Sequence, residues 1–187
     1  MKKFYYCLLC SLVMFCCGKD DKPVAYSPLF SFFEASNIII DTIVNAPATW
    51  EYGFHFKSLK NQTITRVGIK VPVEGSFRVK LYDLANGNRI VDTLVTSSVK
   101  FTESFININP IKISSNAEFG IAIVADVFFK VRNANSSAVN FPVTIGLIEI
   151  KSFNEDDCGV SGCPDFPLVT NNLVIAPCVN LTLIEDE

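Results

Sequence analysis

Apolar residues recur at every second position through most of the stretch from Tyr52 to Ala125. Successive side chains of a β-strand point to opposite faces, so this spacing places one face of each strand on a core and the other in water. The inward positions include Phe54, Phe56, Val67, Ile69, Phe77, Val79, Leu81, Phe119, Ile121 and Ile123. The positions between them, such as His55, Arg78 and Lys80, are predicted to face water. This pattern is typical of an antiparallel sheet.

Turn-forming residues separate these segments at short intervals. Asn86-Gly87 is the strongest signal, because both residues tolerate the positive φ that a tight hairpin requires. Two apolar segments before the main run, residues 29–33 and 38–44, predict the first strands, and residues 141–153 and 173–184 predict the last. The sequence therefore predicts an all-β fold, an antiparallel β-sandwich of the immunoglobulin-like or jelly-roll-like kind.

Size and charge narrow the functional classes. The 187 residues, 49% of them hydrophobic, are enough for one domain with a full core behind a short leader. The net charge of −3 includes Lys2 and Lys3 of that leader, so the rest of the chain is more acidic and offers no basic patch for nucleic acid. After the leader, no apolar run approaches the ~20 residues needed to cross a bilayer.

The first residues have the order of a secretory signal. The basic start Met1-Lys2-Lys3 precedes a short apolar stretch that ends at Cys16, and Cys17 follows directly before a polar segment. This junction resembles the lipobox of bacterial lipoproteins, in which the cysteine after the cleavage point is acylated and the residue before it is small. The resemblance implies a signal peptide over residues 1–16 and a lipid on Cys17. Acylation of Cys16 instead, or a signal peptide that merely contains cysteines, are the alternatives.

Residues 17–26 are then predicted to be a lipidated tether and residues 27–187 the β-sandwich domain. Lys19-Asp20-Asp21 resembles the acidic export signal that sends some lipoproteins of Gram-negative bacteria to the outer face of the outer membrane. The resemblance implies an exported outer-membrane protein, exposed at the cell surface, with the membrane as a partner through its lipid anchor. Several acyl chains at ~0.8 kcal/mol per buried CH₂ make such an anchor firm. The alternative is that these charges only solvate the tether.

Segments of the main run are similar in residues and order to the strands of a known module, domain of unknown function 4082. They are residues 52–56, 64–69, 79–83 followed by Gly87, and 110–111 with 118–121. The resemblance covers roughly Trp50 to Asp126. That family is a β-sandwich module of bacterial secreted and surface proteins, often beside carbohydrate-active or adhesive domains, so the resemblance implies a binding role. Tyr82 stands where the family usually has a tryptophan.

The residue types give little support for catalysis or for metal binding. His55 is the only histidine, and neither a Gly-x-Ser-x-Gly elbow nor a cysteine-protease signature accompanies it. One histidine and scattered cysteines give no tetrahedral zinc set. Residues 154–157 with Asp165 could offer oxygens to calcium, but they lack the spacing of a known loop, and a solvated charged loop is the preferred interpretation. We therefore expect no enzyme, no metal site and no cofactor.

Three cysteines lie in the last part of the chain. Cys158 and Cys163 enclose a segment with two glycines that let a small loop close. Export implies an oxidising compartment, so a Cys158–Cys163 disulfide is predicted. Cys178 is then left over, either as a buried thiol in the last strands or as the true partner of one of the other two.

These features predict a cell-surface binding module that recognises a glycan or another surface ligand through loops and exposed aromatic residues. The candidate binding residues are Trp50, Tyr52 and Tyr82. The alternative is a structural or protein-interaction module of a surface assembly. Such a module needs an apolar patch or a free strand edge instead of a small-molecule site.

Asp41-Thr42-Ile43 and Asp92-Thr93-Leu94 resemble the Asp-Thr-aliphatic signal for O-glycosylation of exported proteins in some Gram-negative bacteria. The modified threonine must face water, because a bulky polar sugar cannot enter a packed core. Thr93 is expected to be modified before Thr42, since it follows the predicted hairpin, where an edge position is expected. The alternative is that both segments are ordinary strands.

Overall fold

The computed structural model of the chain describes residues 25–29, 32, 38–157 and 162–186, and these are mostly β-structure. The strands are β1 (Ile38–Ser58), β2 (Gln62–Ile69), β3 (Gly75–Asp83), β4 (Asn88–Ser97), β5 (Ser104–Ile113), β6 (Glu118–Asn133), β7 (Val143–Ile145), β8 (Ile148–Asp156), β9 (Val169–Thr170) and β10 (Val179–Glu185). The pairings between these strands are antiparallel. The predicted all-β, antiparallel sandwich is confirmed.

The strands form two sheets. The larger sheet has the order β4-β3-β6-β1-β8-β7, with β9 also beside β8, and the smaller sheet has the order β10-β2-β5. β1 and β6 pair over most of their length at the centre of the larger sheet. Their register shifts between Asn45 and Trp50, a segment that contains Pro47. A shift suits this segment because proline has no N–H to donate to a ladder.

The core lies between the two sheets and is built from the residues at alternate strand positions. Phe54, Phe56, Val67, Leu81 and Ile121 are fully buried in it. The ring centroids of Phe54 and Phe56 lie 5.7 Å apart. Burying one such side chain contributes roughly 1.5–3 kcal/mol, so the alternation supplies much of the stability of the fold.

The connection between β3 and β4 is the hairpin predicted from Asn86-Gly87. Gly87 has a φ of 67°, in the left-handed region that favours glycine. The side chain of Asp83 accepts hydrogen bonds from the Ala85 N–H at 3.0 Å and from the Asn86 side chain at 2.7 Å. The hairpin makes β4 an edge strand of the larger sheet.

The earlier of the two segments before the main run differs from its prediction. Pro28, Leu29 and Phe32 have helical conformation, and Leu29 and Phe32 are buried in the core. Proline is favoured at the first helical position, because its fixed φ suits a helix and its missing N–H would have no partner there. The predicted strand is therefore wrong at Leu29 and Phe32, since a short apolar run has no period that separates a strand from a helical turn. Residues 38–44 belong to β1, as predicted.

Tyr26 joins the start of the described chain to the smaller sheet. Its backbone N–H and C=O exchange hydrogen bonds of 3.1 Å with Leu183 of β10. Its hydroxyl donates to Gln62 Oε1 at 2.6 Å. Contact with the sandwich is therefore already made at the end of the predicted tether.

Candidate functional site

A loop crosses the outer face of the larger sheet, the face that points away from the core. We call residues 162–168 the strap. Phe166 of the strap packs on Tyr82 and Ala122 in a small apolar cluster separate from the main core. The rings of Phe166 and Tyr82 lie 5.7 Å apart at an interplanar angle of 66°. The strap therefore turns part of a sheet surface that was expected to face water into a buried layer.

Lys80, which was predicted to face water, is fully buried together with Glu51. The alternation placed Lys80 on the correct face of β3, but the prediction of solvent contact was wrong because the strap covers this position. Glu51, on β1, is a candidate that the sequence did not reveal. A buried charge is stable only when it is paired and hydrogen-bonded, so the partners of these two side chains decide what they do.

Glu51 and Lys80 bind each other and the backbone of the strap. The Lys80 ammonium donates to Glu51 Oε2 at 2.8 Å and to the Cys163 carbonyl oxygen at 2.9 Å. The Cys163 N–H donates to Glu51 Oε2 at 2.7 Å, and the Tyr82 hydroxyl donates to Glu51 Oε1 at 2.6 Å. We call Glu51, Lys80, Tyr82 and the peptide groups of Cys163 the clasp. Hydrogen bonds to charged groups are the stronger kind, so the clasp is a firm attachment for the strap.

Two glycines make room for the strap. At Gly162, where φ is +70°, a Cβ would collide with Glu51 Oε2 and Lys80 Nζ. At Gly120, on β6, a Cβ would lie 2.5 Å from the ring of Phe166. Ordinary contacts between carbon atoms are about 3.5–4.0 Å. The strap therefore fits against the sheet because neither position carries a side chain.

An open cleft of about 300 Å³ lies beside the strap, and we call it the outer cleft. Its lining includes the apolar Phe166, Pro167 and Leu168 of the strap and the polar His55, Asn154 and Asp165. Leu168 is 81% exposed, so a large apolar side chain stands at the edge of the cleft. A concave, mostly apolar surface with a few convergent polar groups is the usual form of a small-ligand site.

His55 is held at the outer cleft by Glu118. Its Nε2 lies 3.2 Å from Glu118 Oε2. Burial lowers the pKa of His55 and outweighs the opposite effect of the nearby Glu118 carboxylate. The imidazole is therefore neutral near pH 7, where its two ring nitrogens provide one donor and one acceptor.

The aromatic residues predicted to bind a ligand do not form an exposed platform. Tyr52 is 2% exposed and Tyr82 is 1% exposed. Tyr52 occupies an inward position of β1, where its ring lies 4.5 Å from that of Phe128 and burial raises the pKa of its hydroxyl. Trp50 is half-buried against the core. The predicted exposure is wrong for both tyrosines, because one faces the core and the other lies under the strap.

The cysteine predictions fall only partly within the described residues, since Cys17 and Cys158 lie outside them. Cys163 is buried in the clasp. Cys178 is a free, buried thiol whose Sγ lies 3.6 Å from the Phe129 carbonyl oxygen, and burial raises its pKa to about 12. Of the two alternatives for Cys178, the buried thiol is therefore correct. The Cys158–Cys163 disulfide stays a prediction.

The two threonines of the O-glycosylation signal lie on strands of the larger sheet. Thr93 is half-buried on the edge strand β4, and the next residue, Leu94, is 60% exposed. Asp92 forms salt bridges with two arginines, at 3.2 Å and 3.3 Å. Thr42 lies on β1, opposite Lys130 of β6. Modification of either threonine stays a prediction.

Metal ligands do not cluster in the part of the chain that the structure describes, where no group of three or more His, Cys, Asp or Glu side chains could hold an ion. Glu155 of the acidic segment lies 3.8 Å from Lys130 and accepts a hydrogen bond from the Asn171 side chain at 3.2 Å. Among the same residues, no helix combines the length and the apolar character needed to cross a bilayer.

Comparison with known proteins adds no relative: no protein family matches the chain, and no curated protein matches it. The fold and the site alone define its class. It is an all-β antiparallel sandwich whose larger sheet carries a clasped strap and a cleft on its outer face.

Proposed function

We propose that this protein is a lipid-anchored cell-surface binding module whose outer cleft takes an uncharged glycan. The main support is the position of the strap. A buried ion pair fixes this loop across a sheet face and so creates a concave surface with an apolar wall. Sugar rings present apolar C–H faces and polar hydroxyl rims, which such a surface complements. At about 300 Å³ the cleft is at the lower end of the range for ligand sites, so it suits a terminal sugar unit.

The charges around the outer cleft favour an uncharged ligand. Asp165 lines the cleft, the Glu118 carboxylate lies against His55, and His55 is neutral near pH 7 because burial lowers its pKa. The whole chain has a net charge of −3. Acidic sugars are therefore repelled relative to neutral ones.

The lipid anchor and the surface location rest on the leader. The lipobox-like junction at Cys17 and the acidic Lys19-Asp20-Asp21 segment support attachment to the outer membrane and exposure at the cell surface. The tether between Cys17 and Tyr26 spans at most roughly 30 Å when fully extended, so the domain stays close to the membrane. No protein family matches the chain, so its resemblance to domain of unknown function 4082 stays a prediction and the binding role rests on the outer cleft.

A glycan array followed by calorimetry on the mature chain tests the proposed ligand. We expect the wild-type protein to bind neutral glycans and Leu168→Ala to bind them at least about tenfold more weakly, because this side chain forms the apolar wall. Leu94→Ala is the matched control, since Leu94 is also exposed but lies on β4, outside the cleft lining. Equal losses in the two variants, or a preference for acidic glycans, would contradict the proposal.

An exposed apolar segment supports a second candidate function. Leu168, Val169 and Leu173 are 81%, 55% and 59% exposed, and residues of this kind mark protein contacts when they are grouped. The alternative is a structural module that binds another protein of a surface assembly. Leu173→Asp separates the two functions: loss of a cross-linked partner in the native host, with glycan binding absent in the wild type, would favour the assembly role.

We also propose that Thr93 is O-glycosylated in the native host. The half-buried Thr93 lies on the edge strand β4, on the same side of the sheet as the fully buried Val79 opposite it, so a sugar on Thr93 must reach solvent past the open edge of the sheet. Glycopeptide mass spectrometry of protein from the native host should find Thr93 modified ahead of Thr42. An unmodified Thr93 in that protein would rule the modification out.

A further inference from the structure

We infer that Glu51 is the positioning residue of the outer cleft: its carboxylate holds the strap on the sheet through the peptide groups of Cys163. The inference deepens the proposed function and rests on it for one consequence, that Glu51 decides ligand binding without touching the ligand. Glu51 and Lys80 are fully buried, so neither side chain can touch a ligand in the cleft.

The clasp binds the backbone of the strap. The Cys163 N–H donates to Glu51 at 2.7 Å, and the Cys163 carbonyl accepts from Lys80 at 2.9 Å. Cys163 is buried, and a buried peptide group without a hydrogen bond is strongly disfavoured. Removal of these two partners therefore favours a position of Cys163 off the sheet, where water can bind its N–H and C=O.

The wall of the outer cleft moves with Cys163. Phe166, Pro167 and Leu168 follow it closely in the chain, and all three line the cleft. Phe166 is seated over Gly120, where a side chain on the sheet would exclude it. Release of the clasp therefore removes the apolar wall, whereas the polar His55 and Asn154 stay on their strands.

A buried ion pair can also stabilise the whole fold rather than hold one loop. One variant separates these two roles. Replacing all members of a buried ionic cluster by apolar residues of similar size often leaves a protein as stable as before. Glu51→Leu/Lys80→Met/Tyr82→Phe leaves no side chain of the clasp polar. It nevertheless removes the acceptor of the Cys163 N–H and the donor to the Cys163 carbonyl. We therefore expect it to loosen the strap without leaving an unpaired charge on the sheet.

Hydrogen exchange of single backbone amides, measured by NMR on the full mature chain without a ligand, tests the inference. In the triple variant we expect the amide of Cys163, which loses its acceptor, to exchange at least about tenfold faster than in the wild type. The amides of β2 and β10 should keep their wild-type rates. Glu51→Gln should also accelerate exchange of the Cys163 amide. If Glu51→Gln does not fold, the triple variant alone decides. Lys60→Gln, which breaks the Lys60–Glu185 ion pair at the smaller sheet, away from the strap, is the matched control.

Two results would overturn the inference. One is equal exchange of the Cys163 amide in the wild type and the triple variant. The other is faster exchange of the Cys163 amide together with the amides of β10, which would show that the clasp stabilises the whole fold. Glycan binding is measured separately on the wild type and Glu51→Gln, because Tyr82 itself lines the outer cleft. A wild type that binds no glycan, with strap exchange changed as expected, would reject the proposed function and leave the hold of Glu51 on the strap intact.

Discussion

His55 makes the stability of the fold sensitive to acid. Burial lowers the pKa of His55 in the folded chain, so the unfolded chain, with an ordinary pKa of about 6.5, takes up the proton more readily. The stabilisation is complete above that unfolded value and is lost as the pH falls through it toward the folded value. We expect the melting temperature to fall more steeply between about pH 7.5 and about pH 5 in the wild type than in His55→Gln. Differential scanning fluorimetry across this range measures both slopes.

Glu118→Gln is the directional control for the His55 prediction. The Glu118 carboxylate raises the pKa of His55, so its removal lowers that pKa further and steepens the loss of stability in acid. A wild-type slope no steeper than that of His55→Gln would contradict the assignment.

Gly120 is the residue that fits the strap to the sheet. A Cβ at this position would lie 2.5 Å from the ring of Phe166, so Gly120→Ala forces the ring out of its seat. We expect this substitution to destabilise the fold by about 1–3 kcal/mol, the usual cost of overpacking. In a Phe166→Ala background the cost should shrink by at least about 0.5 kcal/mol, because the colliding ring is absent. Denaturant unfolding of the four proteins in this cycle measures the coupling.

Gly87→Ala is the matched control for this cycle. A Cβ at Gly87 meets nothing within 4 Å, so only the positive φ makes alanine unfavourable, at a cost of about 1 kcal/mol. We expect no coupling between Gly87→Ala and Phe166→Ala. Additive costs for Gly120→Ala and Phe166→Ala would show that Phe166 is not seated over Gly120.

At the scale of strands, the alternation was enough to predict the inward face. Phe54, Leu81 and Ile121 are buried as predicted, because an inward position follows from the period of its own strand and needs no knowledge of the neighbours. Lys80 was placed on the correct face for the same reason. Its burial was missed because the strap that covers it lies far along the chain, and no local pattern encodes that contact.

Glu51 could not be paired with Lys80 from the sequence because their strands are not adjacent. β6 lies between β1 and β3, and only this order brings the outward carboxylate and ammonium together. On β6, Ala122 lies opposite Lys80, and on β1, Gly53 lies opposite Ala122. These small residues leave room for the two long side chains to meet. Small outward residues on the two central strands are the signal from which a covered face could have been predicted.

Cys158 and Cys163 are predicted to form a disulfide that closes the loop before the strap. In protein from the native compartment, Cys158 and Cys163 should resist alkylation until reduced. Cys178, whose pKa burial raises to about 12, should react only after unfolding. A bridge over so small a loop stabilises the fold by no more than roughly 3 kcal/mol. Peptide mapping of alkylated native and denatured protein checks this, and a bridge that includes Cys178 would refute it.

At the scale of the whole molecule, the end of the predicted tether and the outer cleft lie at different sheets. Tyr26 joins β10 of the smaller sheet, whereas the strap and the cleft lie on the outer face of the larger sheet. The core separates these two surfaces. A domain attached to the membrane through its smaller sheet can therefore present the cleft away from the lipid, which suits the binding of a ligand outside the cell.

The anchor itself is tested at Cys17. Because several acyl chains bury many CH₂ groups, we expect the mature protein to partition into detergent and Cys17→Ala to lose this behaviour. Cys16→Ala is the matched control, since it leaves Cys17 in place behind another small residue and should still partition. Intact-mass analysis of both variants and of the wild type locates the lipid. If Cys17→Ala still partitions into detergent and Cys16→Ala does not, the acylated residue is Cys16. A cleaved but unmodified wild-type terminus would exclude a lipoprotein.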